Sequence, residues 1–388
     1  MSSSRFLFSN GVVSHASEIP PFTTVLEAHP GAYTTTRSHN NASFLLFWER
    51  HMKRLCDSIR ILSSSKPQLL FGPKNSSHQF TSLPMKSMTW ESVVRGLVHD
   101  SMSKVLGIAL KERGDGEELS ITALVSGNLE KLSESEILGE EQVCKALDVH
   151  VYAGAYVPPV FGIGGNGASL AVVGRGREVA AAKHSDWVRA RKPLEKLRPP
   201  SATELLLSND GDHILEGSVS NFFVVCRKDK IEAKGKYLDN PDSINCFEVQ
   251  TAPVSDSVLP GIIRQLIIEV CLSKGIPFRE VAPSWSEHEV WEEAFISNSL
   301  RLLQHVETIC APSSWDSLHL KPLKEISWNN KQFKEGPGLI TTMIQKEVME
   351  RAVLEDPHNC AIYLCKKPNN LPAFMDSVFA SEVMHGQA

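Results

Sequence analysis

The sequence predicts a mixed α/β chain, of the α+β class, that folds into two domains. The 388 residues correspond to two domains at about 150 residues each. Helix-like and strand-like segments alternate along the chain, and a cluster rich in proline and glycine separates them near the middle. Hydrophobic residues make up 42% of the chain and charged residues 22%, which excludes collagen-like and disordered proteins.

The first half, residues 1–157, is expected to form a small α/β domain. Apolar side chains from Trp48 to Leu62 recur at intervals of three and four residues, which predicts a helix over 47–62. The remaining elements are predicted from apolar runs and turn signals: a strand at 6–8, a helix over 90–110, and strands over 119–125 and 149–156.

Residues 158–168 contain two prolines and four glycines and are expected to form an interdomain loop. Gly162 to Gly167 formally spell GxGxxG, but the strand-like run after them argues against the helix that a dinucleotide site needs. A larger domain is predicted over 169–355 and a mobile tail over 356–388. The predicted strands of the larger domain are 169–174, 204–208, 221–226 and 294–297, and its predicted helices are 261–274 and 339–354.

Charge and composition exclude several classes of protein. Forty Lys and Arg residues against 45 Asp and Glu residues give a net charge of −5, which disfavours a nucleic-acid partner. No apolar run is long enough to predict a membrane span. The eight cysteines are scattered, so we expect no metal site and no disulfide framework. The strand predicted at 6–8 leaves no room for a cleavable leader, and we expect a cytoplasmic protein.

Four separated segments carry the candidate chemistry, although Lys183, Glu216 and Arg54 could each have an ordinary structural role. Glu216 lies between two strand-like runs, where a buried carboxylate needs a cationic partner such as a protonated pyridine nitrogen. Pro260 and Gly261 open a predicted helix, whose free amides favour a phosphate. The strand over 294–297 is followed by hydroxyl side chains that could complete a phosphate site.

Together these motifs resemble the class IV, or fold-type IV, pyridoxal-phosphate enzymes, which include branched-chain and D-amino-acid aminotransferases and aminodeoxychorismate lyase. The resemblance extends from about residue 6 to residue 354. It implies the two-domain D-amino-acid aminotransferase-like fold and pyridoxal 5'-phosphate as the cofactor. It also implies an amino-acid-like small-molecule substrate and a homodimer.

The resemblance assigns a role to each candidate residue. Lys183, which lies 33 residues before Glu216 at the family's usual spacing, would form the Schiff base with the cofactor. Lys192 and Lys196 lie only 24 and 20 residues before Glu216. Glu216, in the Glu-Gly-x-x-x-Asn motif, would hold the pyridine nitrogen. The phosphate ligands would be Arg54 of the His-x-x-Arg-Leu motif, the turn residues Gly261, Ile262 and Ile263, and Ser299.

The reaction type is predicted from the segment around Tyr33. Tyr33, Thr35 and Arg37 lie in a stretch that resembles aminodeoxychorismate lyase and are expected to line the substrate pocket. This favours lyase-like chemistry, although His29-Pro30-Gly31 replaces the family's usual Gly-Asp-Gly. Two alternatives stay open: a D-amino-acid or branched-chain transaminase, and an inactive pyridoxal-phosphate-binding protein of the same fold.

Overall fold

The computed structural model describes residues 5–15, 19–72, 88–128, 131, 145–163, 165–228, 244–316, 318 and 322–355, with the backbone alone at 88–90. The tail predicted over 356–388 lies outside the described residues. Within them, the chain forms two β-sheets, each covered by helices. The predicted mixture of helices and strands is confirmed.

The first sheet has six antiparallel strands in the order β2-β1-β6-β5-β3-β4. Its strands are β1 (Arg5–Ser9), β2 (Val12–His15), β3 (Ala32–His39), β4 (Phe44–Leu45), β5 (Glu118–Gly127) and β6 (Leu147–Tyr156). The predicted strands at 6–8, 119–125 and 149–156 are confirmed, each slightly longer than expected. Strand β3, which lies between β5 and the short edge strand β4, was not expected from the sequence, and it carries Tyr33, Thr35 and Arg37.

The second sheet has nine strands, eight of them in the order β12-β11-β10-β13-β14-β7-β8-β9, with β15 paired to β14. Most pairs are antiparallel, but β7 runs parallel to both β8 and β14, and β11 runs parallel to β12. The strands are β7 (Ala168–Val172), β8 (Glu204–Ser208), β9 (Ile214–Gly217), β10 (Asn221–Arg227), β11 (Phe247–Thr251), β12 (Phe278–Glu280), β13 (Trp291–Asn298), β14 (Leu302–Pro312) and β15 (Trp328–Gln332).

The predicted helices over 47–62, 90–110, 261–274 and 339–354 are confirmed, and the described residues form four further short α-helices that were not expected from the sequence. The α-helices are α1 (Phe22–Ala28), α2 (Trp48–Ser65), α3 (Gln68–Phe71), α4 (Met88–Glu112), α5 (Asp186–Ala190), α6 (Lys192–Glu195), α7 (Ile262–Lys274) and α8 (Leu339–Glu355). The apolar stripe of α2 from Trp48 to Leu62 is buried in the first core, together with α4. α7 ends at Gly275, whose φ of 65° suits glycine, and packs with α8 in the second core.

The two sheets meet where the site is built. β6 ends at Tyr156 and β7 begins at Ala168, so the predicted interdomain loop lies between the sheets, and the domain boundaries stay a prediction. The segment that follows Gly162–Gly167 is a strand, as expected, and not a helix. Ala32 of the first sheet forms an isolated bridge with His184, which brings Lys183 beside β3.

Candidate active site

Lys183 is held by its own backbone against the first sheet. Its carbonyl accepts a hydrogen bond from the Tyr33 amide at 3.0 Å, and its amide donates to Ser58 Oγ of α2 at 3.1 Å. Residues 180–182 form turns after Val179, whose φ is 51°. The ammonium Nζ lies 4.7 Å from the centre of the Tyr33 ring. The backbone on both sides of Lys183 is thus fixed while its side chain enters a cavity.

The surroundings of Lys183 favour its neutral amine. Burial lowers the pKa of the ammonium well below its ordinary value, and the charges of Arg54, Arg177 and Arg191 lower it further. The carboxylate of Glu216 acts in the opposite direction. A lysine with a lowered pKa is a competent nucleophile and proton carrier near neutral pH.

Glu216 is fully buried and accepts several hydrogen bonds. Arg177 Nε donates to its Oε1 at 2.7 Å, and the Leu259 amide donates to its Oε2 at 3.2 Å. Glu216 was expected between two strand-like runs, but it lies within the short strand β9, and the chain turns at residues 218–220. Burial raises the pKa of this carboxyl, and the charge of Arg177 opposes that rise.

Arg177 is a site residue that the sequence analysis missed. Its side chain is only 4% exposed, and its guanidinium lies 4.8 Å from the centre of the Trp187 ring. Trp187 is fixed in turn, because its Nε1 donates to the Ser218 carbonyl at 2.8 Å. Arg177 therefore provides the Glu216 carboxylate with a charged partner inside the protein.

Arg54 projects from α2 toward the same cavity. Its Nη2 donates to Thr34 Oγ1 at 2.9 Å, so the threonine hydroxyl can donate to His51 Nδ1, 2.8 Å away. Burial lowers the pKa of His51 well below its ordinary value, which keeps that ring neutral. Burial also lowers the pKa of Arg54 to about 10, and its Nε is buried without a hydrogen-bond partner. Such a buried cationic donor needs an anion.

The start of α7 supplies backbone donors to the same region. Gly261 precedes the first helical residue, and the amides of Ile262 and Ile263 belong to the first turn, where no carbonyl of the helix can pair with them. A β-carbon at Gly261 would lie 2.0 Å from Asn221 Oδ1. Asn221 Nδ2 in turn donates to the Leu259 carbonyl at 3.0 Å, which fixes the segment before the helix.

Replacing Gly261 with alanine is expected to weaken phosphate binding because Asn221 must move away from the new methyl group. We expect a loss of about 1 to 3 kcal/mol in the free energy of unfolding and roughly a tenfold loss of coenzyme affinity. Denaturant unfolding and coenzyme titration measure the two effects. The control is Gly96→Ala in α4, where a β-carbon has no neighbour within 4 Å and should not destabilise the protein. Equal behaviour of the two variants would contradict the role of Gly261.

One cavity of about 480 Å³ brings most of the predicted residues together. It is lined by Lys183, Arg54, Ser299, the Gly261–Ile263 turn, Tyr33 and Thr35. Glu216 does not line it, but its partners Arg177, Asn221 and Leu259 do. Arg37 was expected in the substrate pocket and does not line the cavity. Its Nε instead donates to the carbonyl of Leu300 at 2.8 Å, so it fixes a residue of the cavity wall.

The residues present fit pyridoxal phosphate. Arg54 Nε and Ser297 Oγ are buried polar atoms without partners, and both residues line the cavity together with the first-turn amides of α7. These are the donors that a phosphate group requires. Ser297 was missed in the sequence, where Ser299 was preferred. The described residues contain no group of His, Cys, Asp and Glu that could hold a metal ion. None of the described helices is long and apolar enough to cross a bilayer.

A family model described as amino-transferase class IV matches residues 31–309. No curated protein sequence matches the chain. The matched segment contains every predicted site residue, from Tyr33 to Ser299.

Solved structures show a similar fold. The branched-chain aminotransferase of the thermophilic archaeon Thermoproteus uzoniensis, solved with norvaline, is 17% identical with a TM-score of 0.53, and the match covers 91% of this chain and 96% of that chain. The Escherichia coli branched-chain amino acid aminotransferase is also 17% identical, with a TM-score of 0.53 and coverages of 88% and 92%. An aminotransferase from Brucella abortus, solved with its cofactor PLP bound, is 15% identical with a TM-score of 0.54 and coverages of 90% and 99%.

Proposed function

Because the chain belongs to the class IV aminotransferase family, we propose that it transfers the amino group of an amino acid, with pyridoxal phosphate held at Lys183. The observation that carries this proposal is the cavity in which the desolvated Lys183 lies together with Arg54 and Ser297, whose buried polar atoms lack partners. Bound pyridoxal phosphate supplies a ring that withdraws electrons from the substrate α-carbon.

The proposal assigns a role to each residue of the site. Lys183 Nζ binds the coenzyme aldehyde and later carries the proton removed from the substrate α-carbon. Glu216 keeps a proton on the ring nitrogen. Arg54, the amides of Ile262 and Ile263, and the hydroxyls of Ser297 and Ser299 hold the phosphate, which fixes the orientation of the ring.

The cavity wall favours an amino acid with an apolar side chain. An apolar surface of the cavity is formed by Phe22 and Leu26 of α1, Trp187 of α5 and Val219 of the turn after β9. The similar solved enzymes that act on branched-chain amino acids, including the one bound to norvaline, support this choice. We therefore place a branched-chain or D-amino-acid transaminase first.

Lyase-like chemistry is the second candidate, and one observation favours it. Thr35 Oγ1 lies 3.0 Å from Thr122 Oγ1, so two hydroxyl groups stand side by side on the cavity wall beyond Tyr33. Such a polar patch suits an oxygen-rich substrate such as aminodeoxychorismate. It adds to the resemblance of the Tyr33–Arg37 segment to the lyase.

The test is the absorption spectrum of the purified protein loaded with pyridoxal phosphate. Adding L-valine, D-alanine or L-glutamate should convert the yellow coenzyme to its colourless amine form if the protein transaminates. Release of 4-aminobenzoate and pyruvate from aminodeoxychorismate, without a keto acid, would favour the lyase. A yellow protein that is inert to every amine would favour an inactive coenzyme-binding protein. A colourless protein that takes up no coenzyme would refute the proposal.

We also propose a homodimer in the cytosol, as expected from the family resemblance and the sequence. Four of the described cysteines, at positions 56, 226, 271 and 310, have free thiols, which suits a reducing compartment. Light scattering of the loaded protein measures the assembly state, and cell fractionation measures the location.

A further inference from the structure

The cavity around Lys183 is lined by basic side chains. Besides Lys183, whose neutral amine is favoured, the described residues that line it include four arginines and no aspartate or glutamate; the arginines are Arg54, Arg177, Arg191 and Arg301. A cavity of this charge favours anionic ligands. A single phosphate group can bind only some of these side chains. The others must be paired within the protein or bind another anionic group.

Two of the arginines are neutralised by carboxylates behind the wall. Arg177 Nε lies 2.7 Å from Glu216 Oε1, and Arg301 Nη2 lies 2.7 Å from Glu204 Oε2. Arg301 is held further by Gln304, whose Oε1 accepts from its Nη1 at 2.7 Å. Arg54 is the phosphate ligand of the proposed function. Arg191 is the arginine that remains.

Arg191 has no charged partner within the described part of the chain. It follows helix α5, and the cations next to it on the chain are paired: Arg189 with Asp186 at 2.6 Å and Lys192 with Glu27 at 2.7 Å. The Arg191 guanidinium makes neither an ion pair nor a side-chain hydrogen bond with any described residue. Among the three cations at positions 189, 191 and 192, Arg191 alone has no ion-pair partner in the described part of the chain, and it is the one that lines the cavity.

The position of Arg191 suits a substrate and not the coenzyme phosphate. Its charge is close enough to lower the pKa of Lys183, where the substrate amine must react. The phosphate donors belong to α2, α7 and the end of β13, whereas Arg191 follows α5, which packs on α1. Phe22 and Trp187, from these two helices, line the cavity with it. A carboxylate bound beside these rings is partly removed from water, which strengthens its hydrogen bonds to a guanidinium.

We propose that Arg191 binds a carboxylate of the substrate and selects amino acids over amines that lack one. The planar guanidinium can donate two parallel hydrogen bonds to the two carboxylate oxygens. This inference rests on the proposed function and names the substrate class of the same cavity. Two carboxylates fit this chemistry, the one on the α-carbon and a second one at the end of a dicarboxylic amino acid.

The test compares Arg191→Gln with the matched control Arg189→Gln, which removes an exposed, paired arginine outside the cavity. Coenzyme content, read from the absorption spectrum, should be unchanged in both variants. Binding of 4-methylvalerate and of its neutral amide to the loaded protein is then measured by calorimetry. Arg191→Gln should weaken binding of the acid roughly tenfold to a hundredfold and leave the amide unchanged. Arg189→Gln should bind both compounds as the unaltered protein does.

Substrate pairs identify which carboxylate is bound. A loss in Arg191→Gln of coenzyme conversion by L-leucine, with the slow reaction of isoamylamine unchanged, places the α-carboxylate on Arg191. A loss for L-glutamate but not for L-glutamine places the terminal carboxylate there. Arg191→Lys keeps the charge without the two-pronged geometry and should give an intermediate loss.

Different results would refute the proposed function and the role of Arg191. A protein that takes up no pyridoxal phosphate overturns the proposed function and this inference with it. A loaded, yellow protein in which Arg191→Gln binds the acid as well as the unaltered protein, or loses acid and amide equally, overturns the inference alone. So does a loaded protein that binds neither 4-methylvalerate nor any of the amino acids.

Discussion

Replacing Lys183 with alanine is expected to abolish the yellow colour of the loaded protein and to lower turnover by at least about a thousandfold. Lys183 is both the covalent anchor of the coenzyme and the carrier of the α-proton in the proposed mechanism, so one substitution removes two functions. Borohydride reduction of the unaltered protein, followed by peptide mapping, should find the coenzyme attached to position 183.

The matched controls are Lys192→Ala and Lys196→Ala. Lys192 is exposed and pairs with Glu27 at 2.7 Å, and neither lysine lines the cavity. Both controls should retain colour and turnover. If the coenzyme remains attached in Lys183→Ala and is lost in one of the controls, the anchor has been assigned to the wrong lysine.

The coenzyme-free protein gives an independent measure of the same residue. The pKa of Lys183 is lower in the folded protein than in the unfolded chain. Between these two pKa values the unfolded chain binds more protons, so stability rises with pH and levels off above the ordinary lysine pKa. Replacing Lys183 with methionine removes the amine that must lose its proton on folding. It should raise the free energy of unfolding at neutral pH and flatten this part of the pH profile, which denaturant unfolding at several pH values measures.

The sequence predicted the residues whose motifs are local. The helix α2 follows from its apolar stripe, and His51, Arg54 and Leu55 lie within one turn and a half of it. The start of α7 follows from Pro260 and Gly261. Lys183 required the family spacing, because no regular element surrounds it: the turn after Val179 and the bridge between Ala32 and His184 fix its place.

The residues that the sequence did not reveal depend on contacts between distant parts of the chain. Arg177 meets Glu216 39 residues later, and nothing next to it in the sequence indicates a buried partner. The strand β3 shows little alternation in burial because neither face is open to solvent: one packs on α2, and the other, with Tyr33 and Thr35, lines the cavity. Ser297 and Ser299 are two residues apart, and only the structure shows that the hydroxyl of Ser297 is buried without a partner.

Replacing Glu216 with glutamine is expected to lower turnover roughly a hundredfold while the loaded protein stays yellow. Glutamine keeps the shape of the side chain but is a poor partner for a protonated ring nitrogen, so the electron-withdrawing power of the coenzyme falls. Coenzyme affinity should change little, because the phosphate donors are untouched. Separate measurement of coenzyme titration and of the rate of the amino-acid half-reaction distinguishes the two effects.

The same substitution should destabilise the protein because Arg177 loses its charged partner. The side chains of Arg177 and Glu216 are 4% and 1% exposed, and removing one member of such a buried pair costs about 3 to 5 kcal/mol. The exposed pair of Asp186 and Arg189 is the matched control, and Asp186→Asn should cost less than about 1 kcal/mol.

A double-mutant cycle separates the structural role of Glu216 from its role at the ring. Combining Glu216→Gln with Arg177→Met removes the unpaired buried charge, so the double variant should be more stable than the sum of the single losses predicts. Its turnover should stay low, since the acid proposed to keep the ring nitrogen protonated is still absent. Recovery of turnover together with stability would show that Glu216 serves only to balance Arg177, and would leave the ring nitrogen without an assigned partner.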